Sequence, residues 1–438
     1  MATLYTRRVA TYIVIANMVG TGVFTTLGFQ VMEGALPDPM AILIVWALGG
    51  IIALAGATCY SEVASVYPED GGEYHFLSRL YHPIIGITSG VVSIAIGFAA
   101  AIGGLGLAAA AYLTPLLPGG VSEPLVAAAL IVSVAFVQWF GVRLGSAFQS
   151  AATALKIGMI LFVVVLPVFF NLPNEAEFEL KITDRTVDLL SSLAFPKALV
   201  WVMFAYSGWN AATYIVGHLE NPKRNLGPAL LGGTVIVMVL YLVLNYVFMR
   251  SVPFDQIAGT IDVGNVVVEA YLGDRLFPIF GAVLAVSLMA GLNAMLIAGP
   301  RVVQKMSNDL ELLPVLGREH ENGAPRGGVI VLASISLLFV FFGTFKDIVE
   351  YVGISLTLFS MLVVFGVFIV RARKLHNENT IRSFAYPLAP LLFLASGLWM
   401  VYFFVAIDPQ KLLWSVSTLV PGVLLYYASK IKRANVHR

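Results

Sequence analysis

Charge is absent from this sequence in long blocks, and the blocks limit what it can fold into. Residues 9–32, 40–61, 83–122, 124–142, 198–217 and 226–249 contain no Asp, Glu, Lys or Arg. The same holds for 276–300, 327–345, 351–370, 383–407 and 412–429, and the run 145–170 is interrupted only by Lys156. Crossing about 30 Å of hydrocarbon takes about 20 apolar residues in a helix, so each run is a candidate span and the count is twelve. Only 12% of the 438 residues are charged, about half the roughly 25% of a soluble domain. That is too little charge to cover a water-soluble surface. The sequence predicts an all-α integral membrane protein, a single membrane domain over 1–438 with twelve transmembrane helices.

Basic residues orient the spans, because cytoplasmic loops carry the excess of Lys and Arg. With the N-terminus inside, 18 of the 26 fall in cytoplasmic segments and six outside. Both termini are therefore predicted to be cytoplasmic, in a multi-pass protein of the cell (plasma or inner) membrane. Arg7 and Arg8 lead straight into a full-length span with no small-residue cleavage site, so the first helix is expected to be retained. A net charge of +1 gives no bulk attraction to nucleic acid. Cys59 is the only cysteine and lies inside the second span, which excludes an intramolecular disulfide.

The polar stretches 171–196 and 251–275 read as exterior loops. The stretch 68–83, PEDGGEYHFLSRLYHP, is too polar to span and reads as a short interfacial helix after the Gly71–Gly72 turn. Glycines interrupt two runs at their middles: Gly20-Thr21-Gly22 in the first span and Ser207-Gly208 in the sixth. Counting five spans from each gives the blocks 9–170 and 196–374, and an odd number of spans makes the second block enter from the opposite side. Matching breaks in inverted halves suit discontinuous helices around a midplane binding site. Glycines that only allow close helix packing would leave the same residues.

The segments around the breaks carry a resemblance. Residues 15–24 read IANMVGTGVF, 204–230 read FAYSGWNAATYIVGHLENPKRNLGPAL, and 60–83 read YSEVASVYPEDGGEYHFLSRLYHP. An Asn293…Arg301-Val302 pattern follows in the eighth run. Together they resemble the amino acid–polyamine–organocation superfamily, in particular the L-type amino acid transporter branch and its bacterial relatives. The family pattern has G-[STA]-G in helix one, F-A-Y-x-G-W-N in helix six and N-P-x-R-N-L after it. The resemblance runs through spans one to ten by motif and covers the last two by count. It implies a LeuT-type 5+5 inverted repeat with broken helices 1 and 6, plus two extra C-terminal helices at 383–429. It further implies an amino acid bound between the breaks, with the Met18 carbonyl facing its amine and Phe204 as an aromatic gate. Lys156 matches the fifth-helix lysine that replaces Na⁺ between helices one, five and eight in sodium-independent members. Eukaryotic L-type members join a heavy chain through an exterior cysteine between helices three and four. Residues 114–123 hold none, so no disulfide-linked heavy chain is expected.

The residues at the breaks have chemistry that fits. Unwound backbone in a bilayer is tolerated only where it is packed in protein or lines a wet cavity. The N–H groups of Gly20, Thr21 and Gly22 would sit at the positive end of a half-helix, where a carboxylate is favoured. The carbonyls of Phe204, Ala205 and Ser207 are acceptors for an ammonium, so the pair of breaks suits a zwitterion. Asn210 would orient those carbonyls or touch the ligand, while Trp209 packs. Phe204 has the alternative of being an ordinary packing residue. The centres of spans three, eight and ten (98–106, 287–294, 355–359) hold no ionised residue. A cationic substrate would need a buried carboxylate, so a neutral L-amino acid is favoured.

Lys156 lies 11 residues beyond Gly145, about 16 Å into its helix, too deep to snorkel. An ionisable residue at that depth is a functional candidate, either tethering helix five to helix one or carrying a proton. Glu62, at the end of span two, reads as an ion-pair or cap residue. His75, His82 and His218 are not spaced as metal ligands, and no H-E-x-x-H, G-x-S-x-G or phosphate loop is present. No catalytic group, metal or cofactor is expected, and a channel or receptor fits broken helices less well than alternating access. The sequence thus predicts a Na⁺-independent secondary transporter of neutral amino acids. Exchange is favoured, with proton symport through Lys156 as the alternative.

Overall fold

The computed structural model describes residues 5–20, 22–32, 35–170, 180–260, 263–273, 277–311, 313–342, 345–378, 380–407 and 419–436. Among these, every regular element is helical, apart from an isolated parallel bridge between Tyr5 and Leu219. The chain opens with α1 (Arg7–Met18), α2 (Gly22–Gln30), α3 (Pro39–Val66) and the short α4 (Glu73–Leu80). A continuous rod follows: α5 (Pro83–Val92), a π-helical stretch (Ser93–Ala100) and α6 (Ala101–Leu113). Next come α7 (Glu123–Trp139), α8 (Val142–Phe169), α9 (Asp184–Ser191) and α10 (Ala194–Ala205), then a 3-10 segment at Ala211–His218. The second part holds α11 (Pro222–Ser251), α12 (Phe254–Ile257), α13 (Val263–Leu272), α14 (Phe277–Leu310) and α15 (Pro314–Gly317). It closes with α16 (Arg326–Phe342), α17 (Phe345–Ala372), α18 (Leu388–Ile407) and α19 (Leu419–Val436).

Among the described residues, six helical stretches can cross a membrane by length and composition: Arg7–Gln30, Pro39–Val66, Pro83–Leu116, Val142–Phe169, Pro222–Ser251 and Phe280–Leu310. The pair α9 and α10, bent by 76°, passes the same test when taken together. The runs at 124–142, 327–345, 351–370 and 383–407 fall on shorter apolar helices. Local chemistry explains several starts. Asp38 caps α3 by accepting the Ala41 N–H at 2.7 Å, with Pro39 in the first turn. The His82 ring accepts the Ile84 N–H at 3.3 Å ahead of Pro83 at the start of α5.

Three segments hold structure that the apolar runs did not specify. The two exterior stretches contain α9, opened by a capping box between Thr183 and Thr186, and α13. α13 is apolar but has only ten residues, about 15 Å of helix, and it packs on α14, α11 and α2. The segment at 73–80 is helical, as expected, and it packs inward: Glu73, Tyr74, His75, Phe76, Leu77 and Leu80 are all buried.

α1 is enclosed by α11, α14 and α8, and α3 packs on α11, α17, α18 and α10. Cys59 is free and buried within α3. Glu62 near the end of α3 pairs with Arg371 through two 2.9 Å contacts and with His376 at 2.8 Å, and it accepts the Ser383 N–H. At the same end of the bundle a second cluster ties five segments together. His218 faces Asp70 through Nδ1 and Glu319 through Nε2, the latter at 3.0 Å. Asp70 also accepts the Gly217 N–H at 2.7 Å. Buried Arg301 reaches Glu319 at 3.0 Å and the Gly323 carbonyl at 2.7 Å. The Tyr5 N–H donates to the His218 carbonyl at 2.7 Å.

Candidate functional site

The two glycine-marked interruptions are real breaks, and they meet. α1 ends at Met18 and α2 begins at Gly22; Thr21 lies outside the described residues. Gly20 turns its N–H back onto the Met18 carbonyl at 2.9 Å. α10 ends at Ala205, and the chain then turns through 206–210, where Gly208 adopts a φ of +95°. That left-handed conformation favours glycine, and space demands it too: a Cβ at Gly208 would stand 2.8 Å from the Asn17 Cβ. A Cβ at Gly22 would stand 2.8 Å from the Ala205 Cα. The breaks therefore pack backbone on backbone.

Tyr241 of α11 holds the contact. Its hydroxyl lies 2.7 Å from the Met18 carbonyl oxygen and 3.0 Å from that of Ala205, sharing one proton between the ends of α1 and α10. Behind it Trp46, Tyr206 and Tyr241 form a buried aromatic cluster, and the Tyr206 hydroxyl donates to the Trp46 carbonyl at 3.0 Å. Spacing alone could not single out Tyr241, because it is one aromatic in an apolar run.

Of the residues expected to hold a ligand, Met18, Gly22 and Ala205 are buried where the breaks touch. Gly20, Phe204, Ser207 and Asn210 are half-buried although they sit at the middles of apolar runs. The Met18 carbonyl already accepts from Gly20 and Tyr241, which uses both of its lone pairs. The Phe204 carbonyl accepts the Ser207 N–H at 3.0 Å. Trp209 packs edge-on against Tyr60 and Phe393.

Lys156 lies near the middle of α8, about 21 Å from its start at Val142. It is 1% exposed, and its Nζ donates to the Val19 carbonyl and, at 3.4 Å, to that of Ala16. A Cβ on Gly291 of α14 would lie 3.7 Å from the same Nζ. The ammonium thus sits where α1, α8 and α14 converge. Among the described residues no group of three His, Cys, Asp or Glu side chains is arranged to hold a metal ion.

One ionisable residue close to the break went unread in the sequence. Glu73, at the start of α4, accepts from the Asn210 side chain at 3.2 Å, the Tyr60 hydroxyl at 2.5 Å and the Ser360 hydroxyl at 3.1 Å. Burial raises its pKa to about 7, against the lowering effect of those three donors. In a short helix too polar to span, it gave no sign of depth; the Gly-Gly pair before it was the available signal.

A model of the amino acid permease family matches residues 8–427. The b(0,+)-type amino acid transporter 1 of Mus musculus is 26% identical over 429 residues, which covers 95% of this chain and 85% of that protein. The serine/threonine exchanger SteT of Bacillus subtilis (strain 168) is 23% identical over 431 residues, 97% of this chain and 96% of its own. The large neutral amino acids transporter small subunit 2 of Mus musculus is 25% identical over 429 residues, covering 95% and 78%.

Proposed function

Because the chain belongs to the amino acid permease family, a family of multi-pass membrane transporters and not of enzymes, we propose that it carries neutral L-amino acids by alternating access, as a Na⁺-independent exchanger. The observation that carries this reading is the meeting of the two helix breaks, Gly22 on Ala205 and Asn17 on Gly208. The similarity to transporters named for amino acids, one of them an exchanger, supports it.

In this reading the twelve runs span the cell membrane as a LeuT-type 5+5 inverted repeat with two further helices, and both termini are cytoplasmic. The N–H groups of Gly20, Thr21 and Gly22 hold the substrate carboxylate at the positive end of α2. The carbonyls of Phe204, Ala205 and Ser207 take the ammonium. The Met18 carbonyl joins them only when Tyr241 or Gly20 releases it. Phe204 closes over the ligand, and Asn210 holds the break in shape. Lys156 fills with its ammonium the position that a sodium ion would need between α1, α8 and α14.

The test is uptake of a labelled amino acid panel into proteoliposomes. Uptake should require unlabelled amino acid inside and remain unchanged when choline replaces Na⁺. An absolute Na⁺ requirement would count against the role given to Lys156. Proton symport is the second reading, favoured by one observation: the Lys156 ammonium has carbonyl partners and no carboxylate among the described residues. Accumulation in empty vesicles under an inward proton gradient, lost in Lys156→Ala, would establish it.

A further inference from the structure

Glu73 is 1% exposed, and four segments converge on it: α3 through Tyr60, the break through Asn210, α17 through Ser360, and its own α4. All three donors serve one oxygen, Oε1. The other, Oε2, is buried with no hydrogen-bond partner among the described residues. The titratable groups facing Glu73 are the phenols of Tyr60 and Tyr214, and no Lys, Arg or His among the described residues acts on it. His75 on the same helix faces Glu69 instead, at 3.8 Å. A buried anion without a counter-ion is strongly disfavoured, whereas a neutral acid tolerates the same surroundings.

We propose that Glu73 is a proton-binding site of the transport cycle, neutral while α3, α4, α17 and the break are packed as in this structure and ionised when that packing opens to water. The step is a simple one. The carboxylate takes a proton from water on closing and returns it on opening, and no other bond changes. Because Asn210 donates to Glu73, the break and the proton bias one equilibrium, and each then shifts the other by the same factor. The inference rests on the transporter reading and assigns a proton to α4 independently of Lys156. A titration near neutral pH, where burial places it, would make it responsive to the cell's own pH range.

Infrared difference spectroscopy of the purified full chain tests the site without relying on transport. A protonated-carboxyl carbonyl band should titrate with a midpoint near pH 7 and be missing in Glu73→Gln. Tyr60→Phe and Ser360→Ala each remove a donor that favours the anion, so each should move the midpoint to higher pH; these variants also serve if Glu73→Gln does not fold. Exchange of L-alanine in proteoliposomes should follow the same midpoint and lose that dependence in Glu73→Gln. A midpoint at the ordinary glutamate value of about 4.3, or unmoved by both donor deletions, would overturn the proposal. So would an exchange profile in Glu73→Gln that matches the unmodified protein. A chain that moves no amino acid but keeps the neutral titration would remove the transporter reading and leave the proton site standing.

Discussion

Gly20 and Gly22 are two residues apart and meet different surroundings. A Cβ at Gly20 would find its nearest neighbour, Leu105 Cδ2, at 3.7 Å, ordinary contact distance. At Gly22 it would strike the Ala205 backbone at 2.8 Å, which cannot rotate away. Overpacking of this kind costs about 1–3 kcal/mol. Gly22→Ala should therefore lower the Tm measurably. Gly20→Ala should melt normally while binding amino acid more weakly, as ligand-induced thermal shifts would read. Loss of stability in both variants alike would remove the distinction. The sequence announced the break through its glycines but treated the two as equivalent, since spacing does not reveal which one faces a neighbouring backbone. Lys156 was legible for a physical reason: a lone cation in an apolar run is conspicuous. Glu73 was not, because it stands among other polar residues and its burial comes entirely from tertiary packing.

At the scale of elements, long apolar runs translate directly into helices, while α9 and α13 escaped notice because eight and ten residues fall short of a span. The interactions between elements were less visible still. The cluster at Tyr5, Asp70, His218, Arg301 and Glu319 joins residues that are far apart in the chain, and counting basic residues placed only Arg301 on the cytoplasmic side. Burial works against a charged His218 ring, but the hydrogen bond and charge of Asp70 outweigh it and raise its pKa. A raised pKa means that the folded protein holds this proton more tightly than the unfolded chain. The stabilisation is complete below the unfolded value of about 6.5 and is lost as pH rises through the folded one. The thermal stability of His218→Ala should therefore fall below that of the unmodified protein at pH 6 and approach it at pH 9. An equal deficit at both pH values would show that the ring acts by packing alone.

Over the whole molecule, the two breaks share one hydroxyl and two packing contacts, so α1 and α2 are mechanically linked to α10 and α11. The 114–123 stretch holds no thiol for a disulfide-linked second chain. The purified chain should accordingly exchange amino acids at full rate by itself, and a marked gain on adding a single-span partner protein would contradict this. The lone thiol has a further use. Cys59 is free and fully buried inside α3, so the native chain should serve as a cysteine-less background for aqueous reagents. Any thiol introduced by mutation becomes the only one that a maleimide dye or spin label can find. A pair placed at exposed Arg318 and Lys223 would then test, by the distance between labels, whether the end of the bundle that carries them opens and closes, without altering any other residue.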